Sequence, residues 1–180
     1  MVVLPDCANL TQSKATSNFN QASAMNPNFY AHRQRIGQLL VVLQFGLLAW
    51  LGWAAAPSIW LAQWKATSML LAVLALLLGL WTLAYNRLGN FNIHPAPKAQ
   101  GILITDGPYR LIRHPMYSAV LLGAGALAAM LEPGSGWLSW CALALVLWVK
   151  AHLEERWLRE HHAGYATYCQ HTQRFIPWLL

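Results

Sequence analysis

The chain is short of charge. Only 10% of its 180 residues are Asp, Glu, Lys or Arg, against about 25% in an ordinary soluble domain. Acidic residues are the scarcest, six against twelve basic ones. Cysteine is also rare: Cys7, Cys141 and Cys169 stand alone, with no CxxC pair and no even framework. That argues against a disulfide scaffold and a zinc ribbon. No GxGxxG run, phosphate-cradling lysine loop or Ser/His/Asp arrangement is present. Four histidines (His152, His161, His162 and His171) follow no metal-ligand spacing such as HExxH, so no metal site is expected. The polar stretch from Met1 to Arg35 lacks a basic start followed by an apolar core. It reads as a flexible tail, not as a signal peptide.

What the chain has instead is apolar length. Hydrophobic residues make up 57% of it, more than one unit of this size could hide from water. Four apolar segments can be drawn, at about Ile36–Trp53, Ala66–Asn86, Tyr117–Met130 and Trp137–Ala151. The first two reach the roughly 17 to 25 residues that cross hydrocarbon as a helix. The shorter last two flank Glu132-Pro133-Gly134-Ser135-Gly136, a strong turn signal, and read as a helical hairpin. The expected fold is all-α, a polytopic transmembrane helical bundle. Residues 1–35 form the tail and 36–180 a single membrane domain. With four spans, every lysine and arginine except Lys65 falls on one side, Lys150 included. The positive-inside rule then puts both termini in the cytoplasm, at a bacterial inner membrane or its equivalent. The net charge of +6 reflects that orientation; no basic stripe with interleaved aromatics suggests nucleic acid. Trp53, Trp60 and Trp64 suit either an aromatic belt or simple packing. The small residues from Gly123 to Ala129 suit close helix packing, or room for a ligand.

Chemistry is expected outside the apolar runs. The loop from Arg87 to Met116 is too long to be a bare connection and too rich in Ile, Leu and Tyr for disorder. Pro115 opens the next helix, whose free N–H groups beside Arg110, Arg113 and His114 suit a carboxylate or phosphate. Headgroup anchoring by the same arginines is the alternative. The second cluster, Lys150 to His162, holds Glu154 and Glu155 close to the hydrocarbon boundary. An unpartnered carboxylate there costs several kcal/mol or protonates. One of the two is therefore expected to face a partner in the bundle, with the loop arginines as candidates.

The run Gly107-Pro108-Tyr109-Arg110-Leu111-Ile112-Arg113-His114-Pro115-Met116-Tyr117 is the most specific feature. With Glu154-Glu155-Arg156-Trp157-Leu158, Tyr165, Tyr168 and Arg174-Phe175-Ile176-Pro177, it resembles the isoprenylcysteine carboxyl methyltransferase family. That family lies within the small membrane methyltransferases that include phospholipid methyltransferases. The resemblance covers about the last ninety residues well and the first two spans only as apolar helices. It implies S-adenosylmethionine as cofactor, S-adenosylhomocysteine as product and a cofactor pocket on the cytoplasmic side, built mainly from residues 87–180. The acceptor would be a lipophilic or membrane-presented small molecule, with membrane lipids as neighbours. By position, His114, Pro115 and Tyr117 match cofactor contacts, with Gly107 and Tyr109 shaping the approach. Arg113 and a glutamate of the 154/155 pair match residues that hold acceptor or cofactor polar groups, so Arg113, Glu154 and Glu155 are the catalytic candidates. Glu154 is also a cofactor candidate, and Leu158 and Tyr165 would line the adenosine side. The chain departs from the family at His162-Ala163, where Phe-Gly is common, and shows no dedicated prenyl pocket. An NADPH-dependent membrane reductase and a non-catalytic membrane partner are the alternatives.

Overall fold

The computed structural model describes residues 27–86, 103–132, 134–161 and 164–177. They form a polytopic bundle of helices: α1 (Pro27–Trp60), α2 (Ala66–Tyr85), α3 (Pro115–Met130), α4 (Ser135–His161) and the short α5 (Tyr165–His171), with a 3-10 turn at Gly107–Arg110. The four apolar segments of the sequence are the four long helices. Among the described residues α1, α2 and α4 contain stretches long and apolar enough to cross a membrane, at Gln34–Trp60, Ala66–Tyr85 and Ser135–Glu160. Helix α3, with 16 residues, is about 24 Å long and falls short of a hydrocarbon core of about 30 Å.

Two boundaries differ from the sequence reading. Helix α1 begins at Pro27, well before Ile36; Pro at a first helical position lacks only an N–H that has no partner anyway. The rest of the stretch read as a tail, residues 1–26, lies outside the described residues. Helix α4 runs ten residues past Ala151, with Glu155 and Trp157 buried and Arg156, Arg159 and Glu160 exposed. One placement also changes. Lys150, assigned to the basic side of the membrane from the charge pattern, is buried within α4 at 2% exposure.

The burial pattern is that of a protein in lipid. Large apolar side chains such as Leu39, Val42, Trp53, Leu70 and Leu76 point outward, while the buried residues of α2 are Ser68 and Thr82. Each of those hydroxyls bonds a carbonyl of its own helix region, Ser68 to Lys65 and Thr82 to Leu78, both at 2.7 Å. Polar groups are thus paired where water is absent.

Small residues bring the helices together. A Cβ on Gly123 would lie 3.7 Å from the Ala75 Cβ, and one on Gly79 3.9 Å from the Ala119 Cβ, so α3 packs along α2 almost backbone to backbone. On its other side α3 meets α4 around Ala124, Ala128, Leu143 and Leu147, with Leu51 of α1 completing the core. The α3–α4 hairpin is tightest at Gly136, where a Cβ would sit 2.7 Å from the Ala128 carbonyl oxygen and 3.1 Å from the Leu131 Cβ. Gly136→Val should therefore lower stability by about 1–3 kcal/mol through overpacking. Gly46→Ala, which meets nothing within 4 Å, should leave it unchanged or raise it slightly. Thermal unfolding of both variants in detergent checks the difference.

Candidate active site

The site is built where the loop before α3, the far half of α4 and the carboxyl-terminal segment converge. The loop is shaped first by Gly107. Its φ of +60° lies in the left-handed region that favours glycine, and a Cβ there would land 2.5 Å from the Tyr85 ring. Only glycine lets the chain pass this close to the end of α2. After Pro108, which is buried, the chain pairs with the carboxyl-terminal segment. Ile112 and Gln173 form a parallel bridge. The Gln173 N–H donates to Leu111 O (3.1 Å), and the Arg113 and His114 N–H groups donate to Gln173 O (2.7 Å) and Arg174 O (3.1 Å). Ser118, one turn into α3, donates its hydroxyl to Phe175 O at 2.7 Å. The carbonyl of Arg174 thus takes the His114 amide at the helix start, which the sequence reading had left open between an anion site and headgroup anchoring.

That pairing sets Arg113 and Arg174 on either side of Glu155. The carboxylate is 1% exposed. Its Oε1 accepts from Arg113 Nε (2.9 Å) and Arg174 Nε (3.0 Å), and its Oε2 accepts from Arg174 Nη2 (2.7 Å). His114 Nε2 lies 3.3 Å from Oε1, and Arg159 Nη2 3.6 Å from Oε2. Arg113 also donates to the carbonyls of Cys169 (3.3 Å) and Thr172. The Glu155 carboxylate in turn holds the Arg174 guanidinium above its ordinary pKa. Both oxygens of Glu155 are thus held by hydrogen bonds.

Glu154 is its opposite. Its side chain is 29% exposed. Its Oε2 accepts from the Tyr117 hydroxyl at 2.9 Å, and His114 Nδ1 stands 3.8 Å away. The His114 ring stacks on Tyr117, 5.2 Å between centroids and 3° from parallel. Glu154 therefore keeps acceptor capacity toward the open side, framed by two aromatic rings. His114 lies between the two carboxylates, one ring nitrogen toward each; a neutral imidazole has one N–H and can donate to only one of them.

A layer of tyrosines closes the other wall. Tyr168 donates to Tyr109 O at 2.6 Å, and Tyr165 lies 5.8 Å from Tyr168, ring to ring. The Tyr165 hydroxyl is fully buried and has no hydrogen-bond partner, a rare state for such a group. Burial and the negative charge of Glu154 push the Tyr109 phenol up to about 12. Burial, first of all, raises Tyr165 and Tyr168 as well. All three stay phenols at neutral pH, donors rather than bases.

Of the sequence-based candidates, Arg113, His114, Tyr117, Glu154 and Glu155 join in one connected network. Pro115 is buried at its base, Gly107 and Tyr109 stand on the loop side, Tyr165 is buried, and Leu158 is half-buried on α4. Arg110 is exposed and outside the network. Among the described residues no group of three or more His, Cys, Asp or Glu side chains is arranged so that it could hold a metal ion; His162 lies outside them. Sequence reasoning noted Arg174 only within the terminal motif and missed that it grips Glu155. It also missed a buried pair on α1 and α4, Lys150 Nζ donating to Gln44 Oε1 at 2.8 Å, with the ammonium 5.3 Å above the Tyr117 ring.

The phospholipid methyltransferase family matches residues 64–164, more than half of the chain, and that stretch holds both the loop motif and the two glutamates. This chain belongs to that family. It is also 32% identical over 151 residues to the cobalt-zinc-cadmium resistance protein CzcN of Cupriavidus metallidurans. The match covers 82% of this chain and 65% of that protein, so the chain corresponds to a little under two thirds of that relative's length.

The two glutamates should separate in a stability assay. Glu155→Gln leaves two buried guanidinium groups facing a neutral amide, which should cost about 3–5 kcal/mol. Glu154→Gln, half-open with one neutral donor, should cost less than about 1 kcal/mol. Unfolding midpoints in detergent decide it; equal losses would mean that Glu155 does not hold the junction.

Proposed function

We propose that this member of the phospholipid methyltransferase family is an S-adenosylmethionine-dependent methyltransferase. Its acceptor is a lipophilic, membrane-presented small molecule, and the site faces the cytoplasmic side with both termini. The observation that carries the reading is Glu154, a carboxylate with free acceptor capacity at an otherwise satisfied junction, flanked by Tyr117 and His114 and facing the tyrosine layer.

The residues present fit the cofactor. The open carboxylate and the aromatic faces beside it favour a cation. The unpartnered Tyr165 hydroxyl offers a donor to a polar group that enters. Tyr109 and Gly107 shape the approach from the loop, Leu158 supplies apolar surface, and Pro115 fixes the start of α3 beneath His114. When bound, S-adenosylmethionine supplies an electrophilic methyl group on a sulfonium and departs as S-adenosylhomocysteine.

The protein's own work in such a displacement is alignment and exclusion of water, not proton transfer. Glu154 holds positive charge at the reacting end. Arg113 and Glu155, grouped with the catalytic residues on sequence grounds, act in this reading as positioning residues. They lock α4 against the loop and so fix where Glu154 and His114 stand.

The charge argument gives a specific test. S-adenosylmethionine and S-adenosylhomocysteine differ by the sulfonium charge. Glu154→Gln should weaken S-adenosylmethionine binding about tenfold, or about 1.4 kcal/mol, and S-adenosylhomocysteine binding by less than about threefold, or roughly 0.7 kcal/mol. Isothermal titration of both ligands into purified protein measures this. Folded protein that binds neither ligand at millimolar concentration, or that binds NADPH instead, would overturn the proposal.

A further inference from the structure

The outward side of α4 changes character along its length. Leu138, Leu145, Trp148, His152, Arg156 and Arg159 are all exposed, and at about 100° per residue they fall within an arc of about 80°. The arc is apolar as far as Leu145, aromatic at Trp148 and basic from Arg156 onward. A hydrocarbon layer of about 30 Å takes up about twenty helical residues. Counted from Trp137, exposed at the other end of α4, that layer ends near Trp157. His152, Arg156 and Arg159 therefore meet the zone in which lipid phosphates lie. Trp148 is tied to the interior as well. Its ring stacks on that of His152, 5.9 Å between centroids and 17° from parallel, and the Arg174 guanidinium stands 6.0 Å from its centroid. That guanidinium is the one whose Nε and Nη2 hold Glu155. One aromatic pair thus joins the lipid surface to the buried junction.

Two features of this face say what covers it. The first is sign. The arc holds two guanidinium groups and no carboxylate, and the exposed Glu160 stands about 40° outside it. Arg159 lies 3.6 Å from Glu155 Oε2 with its side chain 52% exposed. That carboxylate is already held by Arg113 and Arg174 at distances between 2.7 and 3.0 Å, so Arg159 is available to a second anion. A zwitterionic headgroup brings its own ammonium, which finds no counter-ion in the arc. A headgroup of net negative charge meets attraction only. The second feature is continuity. The basic end runs into Trp148, Leu145 and Leu138, a surface for an acyl chain that a soluble phosphate would leave bare. Basic residues at a membrane boundary attract anionic lipid, and the planar fork of arginine matches phosphate oxygens.

We propose that the outer face of α4 is a site for one anionic phospholipid of the surrounding membrane, held as a structural partner and not as a methyl acceptor. Its phosphate lies between Arg156 and Arg159, with a ring N–H of His152 as a further donor, and one acyl chain follows Trp148, Leu145 and Leu138. Binding steadies the Trp148–His152 stack against which Arg174 rests. It thereby fixes, from the lipid side, a guanidinium that clasps Glu155. The site stands apart from the methyl-transfer reading and does not rest on it.

Native mass spectrometry of the full chain, released from neutral detergent, tests the proposal with dioleoyl phosphatidylglycerol, phosphatidylcholine and phosphatidylethanolamine as probes. The wild type should retain phosphatidylglycerol about tenfold better than either zwitterion. Arg156→Gln combined with Arg159→Gln should lose that preference. Arg35→Gln combined with Arg110→Gln removes the same charge from exposed positions off α4 and should keep it. Phosphatidylglycerol should raise the thermal unfolding midpoint of the wild type and of this control pair, and leave that of the Arg156/Arg159 pair unchanged. Trp148→Leu should retain the lipid within about threefold of the wild type yet lose the gain in midpoint, because the stack that reaches Arg174 is gone. Equal retention of the three lipids by the wild type, equal losses in the two arginine pairs, or displacement of the lipid by millimolar inorganic phosphate would overturn the site. A full gain in midpoint for Trp148→Leu would overturn its link to the junction.

Discussion

A carboxylate that has left water must be neutralised and hydrogen-bonded almost completely, or it will not stay charged. Glu155 meets that demand by drawing Arg113 from the loop, Arg174 from the carboxyl-terminal segment and His114 from the start of α3 onto one helix. The loop, the carboxyl-terminal segment and the start of α3 are thereby fixed to α4. Backbone pairing of residues 111–114 with 173–174 completes the junction. It orients the guanidinium groups and satisfies amides that a membrane boundary would leave costly. Once Glu155 is turned inward, helix geometry turns its neighbour Glu154 by about 100°, toward the open side. The reactive-looking carboxylate owes its place to the buried one.

Much of this could be read from sequence, and what could not has identifiable causes. The apolar runs foretold the four long helices because in lipid their length and composition are set by the bilayer. The pairing of the loop motif with the glutamates was foreseen from the cost of an unpartnered carboxylate near hydrocarbon. Which glutamate faces inward was left open, although α4 carries a signal. Leu143, Leu147, Ala151 and Glu155 repeat every four residues and all are fully or nearly fully buried, so Glu155 continues the core stripe and Glu154 does not. Lys150 was misplaced because a count of basic residues treats every lysine near a span end as solvent-facing. The helix outlasts its apolar run, and that left Lys150 inside. The role of Arg174 lies in a contact across 19 residues and a chain reversal, which no local period reveals.

The bilayer also explains an inversion of the usual packing logic. Leucines and tryptophans coat the outside of α1 and α2, while the buried residues of α2 are serine and threonine and glycine and alanine make its contact with α3. Lipid tails are as apolar as leucine, so burying leucine gains little, and close approach of backbones gains dispersion contacts. The small-residue stripe of α3 serves this packing against α2. Where α1 diverges from the pair, the same small side chains border a cavity at Ala124 and Ala126. The contacts of the stripe with α2 and α4 bear out its packing reading.

The shortness of α3 ties these elements to function. A helix of about 24 Å cannot reach both surfaces of a hydrocarbon layer of about 30 Å, so at least one of its ends lies below a boundary. Its far end is clamped to α4 by the tight turn at Gly136, and its near end carries His114, Pro115 and Tyr117. That near end carries Tyr117 and His114 to Glu154. It also brings Tyr117 to the depth of Lys150, so that one ring touches both the open carboxylate and the buried ammonium. The gap between a partly exposed carboxylate and a buried ammonium is thus bridged by one ring at the start of a short helix.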